Sequence, residues 1–322
     1  GEMLIVEQGQ IVDKRRVNAL PTEGACEHDV ASLEARLDEV LADSVDVHQR
    51  SDVPYGMFLS GGVDSNALLA MMARLNSDPV LTYTAGFDNK TVADERIQAR
   101  AVADAVGAAH VEVVVTQQDF WRDLPTIAAA LDDPCADYAV VPSFELAREA
   151  SKDVKVILSG EGGDELFAGY GRYRRALRPR WLGGRESRTS GLLDHMNVFR
   201  APDSRRVCNH SDYKLVPVPT YSRLQAVQAV DFVDWLPHDL LLKLDRCLMA
   251  YGVEGRTPFL DPVMAAFAMR LPDNLKLHRG TGKWLLRRWL ECHLPEARPF
   301  SAKRGFSVPV ADWIRREGAR LG

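Results

Sequence analysis

With 322 residues, 46% of them hydrophobic, the chain carries enough apolar material for one large domain or two ordinary ones around a real core. A formal net charge of -5 supplies no basic field, which argues against nucleic acid and against an anionic membrane as partners. No run approaches the roughly 18 apolar residues of a membrane span, and no secretory signal opens the sequence. Cys26, Cys135, Cys208, Cys247 and Cys292 are far apart and free of Cys-x-x-Cys spacing, which fits reduced thiols in a cytoplasm. The histidines show no metal-ligand spacing.

In chain order, Met3–Glu7 and Ile11–Arg16 read as two short strands joined at Gln8-Gly9-Gln10, followed by a Pro-Thr-Glu-Gly linker. A lone hairpin is marginal in water, so this one should belong to something larger. Asp29–His48 places Val30, Leu33, Leu37, Val40, Leu41 and Val45 on one face and predicts an amphipathic helix. Val53–Ser65 then reads as strand, tight glycine turn and helix start, and runs into the apolar segment Asn66–Leu75. Gly61 and Gly62 let backbone N–H groups approach an anion, Ser60 and Ser65 add hydroxyl donors, and the helix start adds its positive end. A phosphate or pyrophosphate is the natural guest. Asp64 would repel it unless a cation sat between them, which implies Mg²⁺. The loop lacks the lysine of a Walker A motif and resembles the PP-loop of the ATP pyrophosphatases.

Beyond it, strands at Pro79–Phe87, His110–Val115 and Val154–Leu158 alternate with helices at Ala93–Val106, Phe120–Leu131 and Val141–Ala150. This alternation predicts an α/β fold, a doubly wound parallel sheet whose ligands lie outside the carboxyl ends of its strands. Three phosphate-competent loops should follow strands: Ser60–Asp64, the segment around Ala85 and Gly86, and Ser159–Asp164. The last opens Ser159-Gly-Glu-Gly-Gly-Asp-Glu165, and its clustered acids exceed what capping a helix N-terminus requires. Asp164 is the natural second carboxylate beside Asp64 for Mg²⁺.

Tyr170–Arg188 concentrates seven arginines, at 172, 174, 175, 178, 180, 185 and 188, and is read as a solvated face rather than a nucleic-acid patch. Thr189–Leu215 reads as a surface excursion. From Ser222 onward, helical periodicity through Leu240–Met249, Val263–Met269 and Trp284–Leu290 predicts a helical layer closing the site. Leu248 and Met249 should fill core. Asp245 and Arg246, set among leucines, should pair with each other or meet a ligand.

Ser-Gly-Gly-Val-Asp-Ser at 60–65, Ser-Gly-Glu-Gly-Gly-Asp-Glu at 159–165, Gly-Val-Glu-Gly-Arg-Thr-Pro-Phe-Leu-Asp at 252–261 and Lys303-Arg-Gly-Phe together resemble the synthetase domain of glutamine-dependent asparagine synthetase. The resemblance spans about residues 23–322. It implies ATP and Mg²⁺ as cofactors, aspartate and ammonia as substrates, and amidation through a β-aspartyl-AMP intermediate with release of AMP and pyrophosphate. It maps adenosine onto Leu59, Ala85, Ser159 and Gly160, the phosphates onto Ser60, Gly61, Gly62, Asp64 and Ser65, and the metal onto Asp64 and Asp164. Lys303 would carry charge on the transferring phosphates, and Glu161 would take a proton from attacking ammonia. Glu254 and Arg256 would touch substrate or brace the wall. A homodimer is the assembly to test.

The departure is at the front, where the family's N-terminal cysteine nucleophile has no counterpart. Residues 1–22 read as the last hairpin of a glutaminase domain plus linker, and the expectation is a fragment of a longer enzyme or an ammonia-dependent form. Alternatives are a β-lactam synthetase-like enzyme, which is expected to carry tyrosine at position 161, amidation of another carboxylate, or a non-catalytic ATP- or AMP-binding module. A degenerate module should have lost one of Asp64, Asp164, Glu161 or Lys303, and none is lost.

Overall fold

The protein is described by a computed structural model that covers residues 2–16, 20–21, 25, 29–88, 94–132, 135, 137–178, 181, 219–301 and 308–317. The opening hairpin forms as expected. Strands β1 (Glu2–Glu7) and β2 (Gln10–Arg16) pair antiparallel, and the chain turns through Gln8 and Gly9, both at positive φ. Its apolar side chains stay in solvent, with Val6 57% and Ile11 62% exposed, so the hairpin adds little to the core.

Helix α1 (Val30–Gln49) starts where Asp29 accepts from the Ser32 N–H, and buries the stripe Leu33, Leu37, Val40, Leu41 and Val45. The alternating unit follows: β3 (Tyr55–Phe58), α2 (Val63–Leu75), β4 (Leu81–Phe87), α3 (Arg96–Ala105), β5 (Ala109–Val115), α4 (Gln117–Leu131), α5 (Val140–Ala150) and β6 (Val156–Leu158). Short helices α6 (Gly163–Leu166) and α7 (Gly171–Leu177) come next. The C-terminal layer holds α8 (Arg223–Val233), a π turn at Leu236–Leu240 and α9 (Leu241–Met249). It continues with α10 (Pro262–Arg270), α11 (Asp273–Lys276), α12 (Trp284–His293) and α13 (Val310–Arg316).

This layer also supplies a strand that periodicity did not predict. β7 (Glu254–Arg256) is too short to show alternation, yet it pairs in parallel with β6, matching Glu254 to Val156 and Arg256 to Leu158. The sheet order is β5-β4-β3-β6-β7, every neighbouring pair parallel. β3 is first in sequence and central in space. The strands step outward on one side of it and resume on the other, so the order reverses between β3 and β6. That reversal opens a crevice at the carboxyl ends of these two strands.

Apolar residues cover both faces. Along β6, Val156 and Leu158 join the cluster built on α1, α2 and α12, while Ile157 joins the opposite cluster with α4, α5 and α9. On that second face Trp313 of α13 lies 5.4 Å from Phe120 and 6.0 Å from Phe87, ring centre to ring centre.

Three local expectations change. Ala85 and Gly86 are inside β4, paired with Val113 and Val114, so Ala85 belongs to the site as a strand residue and not as a loop. Met249 is 55% exposed while Leu248 is buried, because α9 ends at Met249 and the apolar stripe has turned inward one residue earlier. Asp245 and Arg246 lie on the exposed face of the same helix and need no buried partner. Arg172 packs its guanidinium 4.0 Å over the Tyr170 ring and pairs with Asp231 at 2.9 Å, whereas Arg174, Arg175 and Arg178 are exposed. Residues 180, 185, 188 and 189–215 lie outside the described residues, as do Cys26 and Cys208. Among the described residues no helix is long and apolar enough to cross a membrane.

Candidate active site

Both glycine loops end at the crevice. After β3, the Leu59 N–H donates to the Tyr83 carbonyl at 2.9 Å and the Leu59 carbonyl accepts from the Thr84 hydroxyl at 2.6 Å, which fixes where the first loop leaves the sheet. The Ser65 hydroxyl then closes the turn. It accepts from the Ser60 N–H at 3.1 Å and lies 2.9 Å from the Ser60 hydroxyl, which accepts from the Gly62 N–H at 3.1 Å. The Gly61 N–H donates to the Glu95 carboxylate at 3.2 Å. A loop amide that already holds a carboxylate oxygen is oriented for an anion, and the start of α2 adds its positive end.

The second loop leaves β6 with the Ser159 N–H donating to the Arg256 carbonyl at 2.8 Å. It crosses directly over the first. A Cβ at Gly163 would fall 2.5 Å from the Asp64 carboxyl, so only glycine allows this approach. Gly162 adopts φ +93°, the left-handed turn that starts α6.

Together the loops and strand ends enclose a cavity of about 370 Å³ lined by Leu59, Ser60, Gly62, Ser65, Ala85, Ser159 and Gly160 among others. Asp64, Glu95, Asp137, Glu161 and Asp164 also line it, against one basic side chain among the described lining, Lys243. A larger groove of about 660 Å³ between α1 and α10 contains neither loop. The smaller cavity is therefore the candidate site.

Sequence reasoning placed Asp64, Asp164 and Glu161 together, and the structure does so. It missed two lysines that organise them. Lys283, at the N-terminal boundary of α12, is 3% exposed and bonds both Asp64 and Asp164, the latter at 2.6 Å. Burial pulls its ammonium toward neutrality, but the Asp164 and Asp64 carboxylates outweigh that and hold it charged above the ordinary lysine value. Lys243 on α9 is 5% exposed, pairs with Asp137 at 2.8 Å and reaches Glu161 at 3.5 Å. Burial acts against its charge as well, and the carboxylates of Glu161 and Asp137 reverse the balance. A signal was available for each, a lysine in an otherwise apolar helical run at Leu240–Leu244 and a Gly-Lys step before Trp284.

The third acid of the second loop is structural. Burial raises Glu165 to about 8, and Tyr170 donates to it at 2.8 Å. The thiols of Cys135 and Cys247 are pushed by burial up to about 11 and about 12, which removes both as nucleophiles near neutral pH. Lys303 lies outside the described residues. The donor set of Asp64 and Asp164 fits a hard cation, since two carboxylates converge on one positive charge, here that of Lys283. Among the described residues no group of three or more His, Cys, Asp or Glu forms a metal cluster by itself.

Packing around Lys283 is close, and it yields a prediction. A Cβ at Gly282 would fall 2.2 Å from the Ala168 carbonyl oxygen, a backbone atom that cannot step aside. Gly282→Ala is expected to cost about 1–3 kcal/mol in urea unfolding. An unchanged unfolding midpoint would contradict this packing.

The sheet and its two glycine loops define a doubly wound α/β protein with a loop-lined cavity at the topological switch point. The family model for asparagine synthase matches residues 36–321, and the chain belongs to that family. It is 38% identical over 327 aligned residues to a putative glutamine-hydrolysing asparagine synthetase of Mycobacterium tuberculosis, covering 88% of this chain and 49% of that protein. It is 32% identical to asparagine synthetase 1 of Bacillus subtilis, covering 87% and 50%, and 27% identical to asparagine synthetase B of Escherichia coli, covering 86% and 45%. The chain thus spans about half the length of the curated relatives it matches. Among solved structures, NMN synthetase from Francisella tularensis aligns over 88% of the chain at TM-score 0.31 and 9% identity.

Proposed function

We propose that this chain is the synthetase part of an enzyme that uses ATP to amidate the β-carboxylate of aspartate. The observation that carries the reading is the convergence of the two glycine loops on one cavity with Glu161 in its lining. In the first step a β-carboxylate oxygen attacks the α-phosphorus and the bond to pyrophosphate breaks. The loop amides and the hydroxyls of Ser60 and Ser65 hold the polyphosphate, while Leu59, Ala85, Ser159 and Gly160 face adenosine. Because the described lining is acidic, a polyphosphate is accommodated only with compensating cations, and Lys303 is assigned to that task. Bound Mg²⁺ would be held by Asp64 and Asp164 and would offset charge on the leaving pyrophosphate.

In the second step ammonia attacks the acyl carbon, its surplus proton passes to Glu161, and AMP leaves. Lys243 steadies Glu161 and shares its charge with Asp137. In the same reading, residues 1–22 are a hairpin and linker beside a synthetase domain at 23–322, and the setting is cytoplasmic.

The test is ATP/pyrophosphate exchange across a panel of carboxylic acids. Aspartate is expected to support exchange well above glutamate, succinate and β-alanine, with amide appearing when ammonium is added. Exchange driven best by another acid would move the reading to a different amide synthetase. ATP binding without exchange on any acid would favour the non-catalytic module.

A further inference from the structure

We propose that Lys283 is a resident cation that keeps the Asp64–Asp164 pair closed to free divalent ions, so that a metal enters only together with nucleotide phosphates. The inference rests on reading the cavity as a nucleotide-phosphate site. It begins from topology. Asp64 stands at the start of α2, Asp164 in α6 and Lys283 at the boundary of α12, so three separate segments meet at one ammonium. The lysine is built in. Its N–H donates to the Phe167 carbonyl at 2.8 Å, its backbone takes φ +57°, and its side chain is buried with its charge neutralised by the two carboxylates.

A divalent ion arriving alone has two routes, both unfavourable. It can evict the ammonium, leaving a buried charge without its partners. It can instead share the carboxylates with that ammonium and meet a like charge at contact distance. Two carboxylates and one ammonium sum to a single negative charge, half of what would neutralise a divalent ion. A triphosphate changes the balance, because its oxygens complete the ligand set of a hard metal and give the lysine a new anionic partner. Metal and polyphosphate therefore load as a unit: the lysine disfavours the metal alone, and the acidic lining disfavours the polyphosphate alone.

The test uses Mn²⁺ as a hard, paramagnetic probe, with free ion read from its EPR signal in the full chain without nucleotide. Wild type is expected to show no Mn²⁺ binding that Asp64→Asn removes. Lys283→Met should bind Mn²⁺ about tenfold or more tighter than wild type, since carboxylate charge sets the affinity of such sites. The double variant Lys283→Met/Asp64→Asn should lose that gain, and Lys283→Arg, which keeps the charge, should exclude the ion as wild type does. Retention of a radiolabelled ATP analogue with a methylene bridge between its α and β phosphorus atoms should require added Mg²⁺ and fail in EDTA. Asp64-dependent Mn²⁺ binding by wild type as tight as that of Lys283→Met would overturn the proposal, as would equal retention of the analogue in EDTA. If the methionine variant does not fold, Lys283→Ala supplies the uncharged comparison, and Asp64-dependent Mn²⁺ binding by wild type without nucleotide overturns the proposal by itself. None of these measurements involves turnover, so the pattern can hold or fail independently of whether aspartate is the acid amidated.

Discussion

Asp64→Asn is expected to lower aspartate-dependent ATP/pyrophosphate exchange by a factor of about 10² to 10³, the usual loss when one preorganised electrostatic contact is removed. The substitution keeps the size of the side chain and the close approach of Gly163, so the loop geometry survives. What changes is charge. Lys283 loses one of its two carboxylates, and the pair loses an oxygen anion able to hold a hard cation against the leaving pyrophosphate. Asp164→Asn should behave alike, because both acids meet the same ammonium. The two effects should not add in the double variant, since residues acting as one unit are non-additive. Exchange at the wild-type rate in either single variant would sink the assignment of this pair to the phosphates. A melting curve for each variant separates this outcome from loss of fold, because a half-neutralised buried lysine also lowers stability.

Much of the site was legible because it is written in glycines and acids. Ser60–Ser65 and Ser159–Glu165 announce turns that only small residues allow, and each follows an apolar run that can only be a buried strand. The order of strands was legible as a class, since alternation of strand and helix implies parallel pairing. β7 was not legible. Three residues, Glu254–Arg256, with two of them charged, show no period at all, and they are a strand only because β6 offers a free edge. Lys243 and Lys283 were hidden for a different reason. A lysine at a helical position is normally solvated, and its burial depends on which carboxylates arrive from segments about a hundred or more residues away, as Asp137 and Asp64 do. Asp245 and Arg246 mislead in the opposite direction. Their apolar neighbours suggested burial, yet at 100° per residue they fall on the outer face of α9.

Glu161→Gln is expected to separate the two chemical steps. Glutamine keeps the volume and the hydrogen-bonding capacity of the side chain but cannot accept a proton from attacking ammonia. Amide synthesis should therefore fall by about 10² to 10⁴, the range for loss of a positioned general base. Exchange, which is complete before nitrogen attacks, should stay within several-fold of wild type. The geometry favours a clean separation: Lys243 lies 3.5 Å from Glu161 but 2.8 Å from Asp137, so the neutral variant leaves the lysine with its nearer partner and the wall of the cavity in place. The variant should then convert ATP and aspartate to an adenylate that accumulates or hydrolyses, with pyrophosphate released in excess of amide formed. Raising ammonium should not restore the ratio, because the missing function is proton acceptance after attack and not capture of the nucleophile. Should exchange and synthesis fall in the same proportion, Glu161 acts before the adenylate exists, by orienting aspartate or the phosphates, and the proton-accepting role passes to another acid of the lining, with Asp137 the next to test.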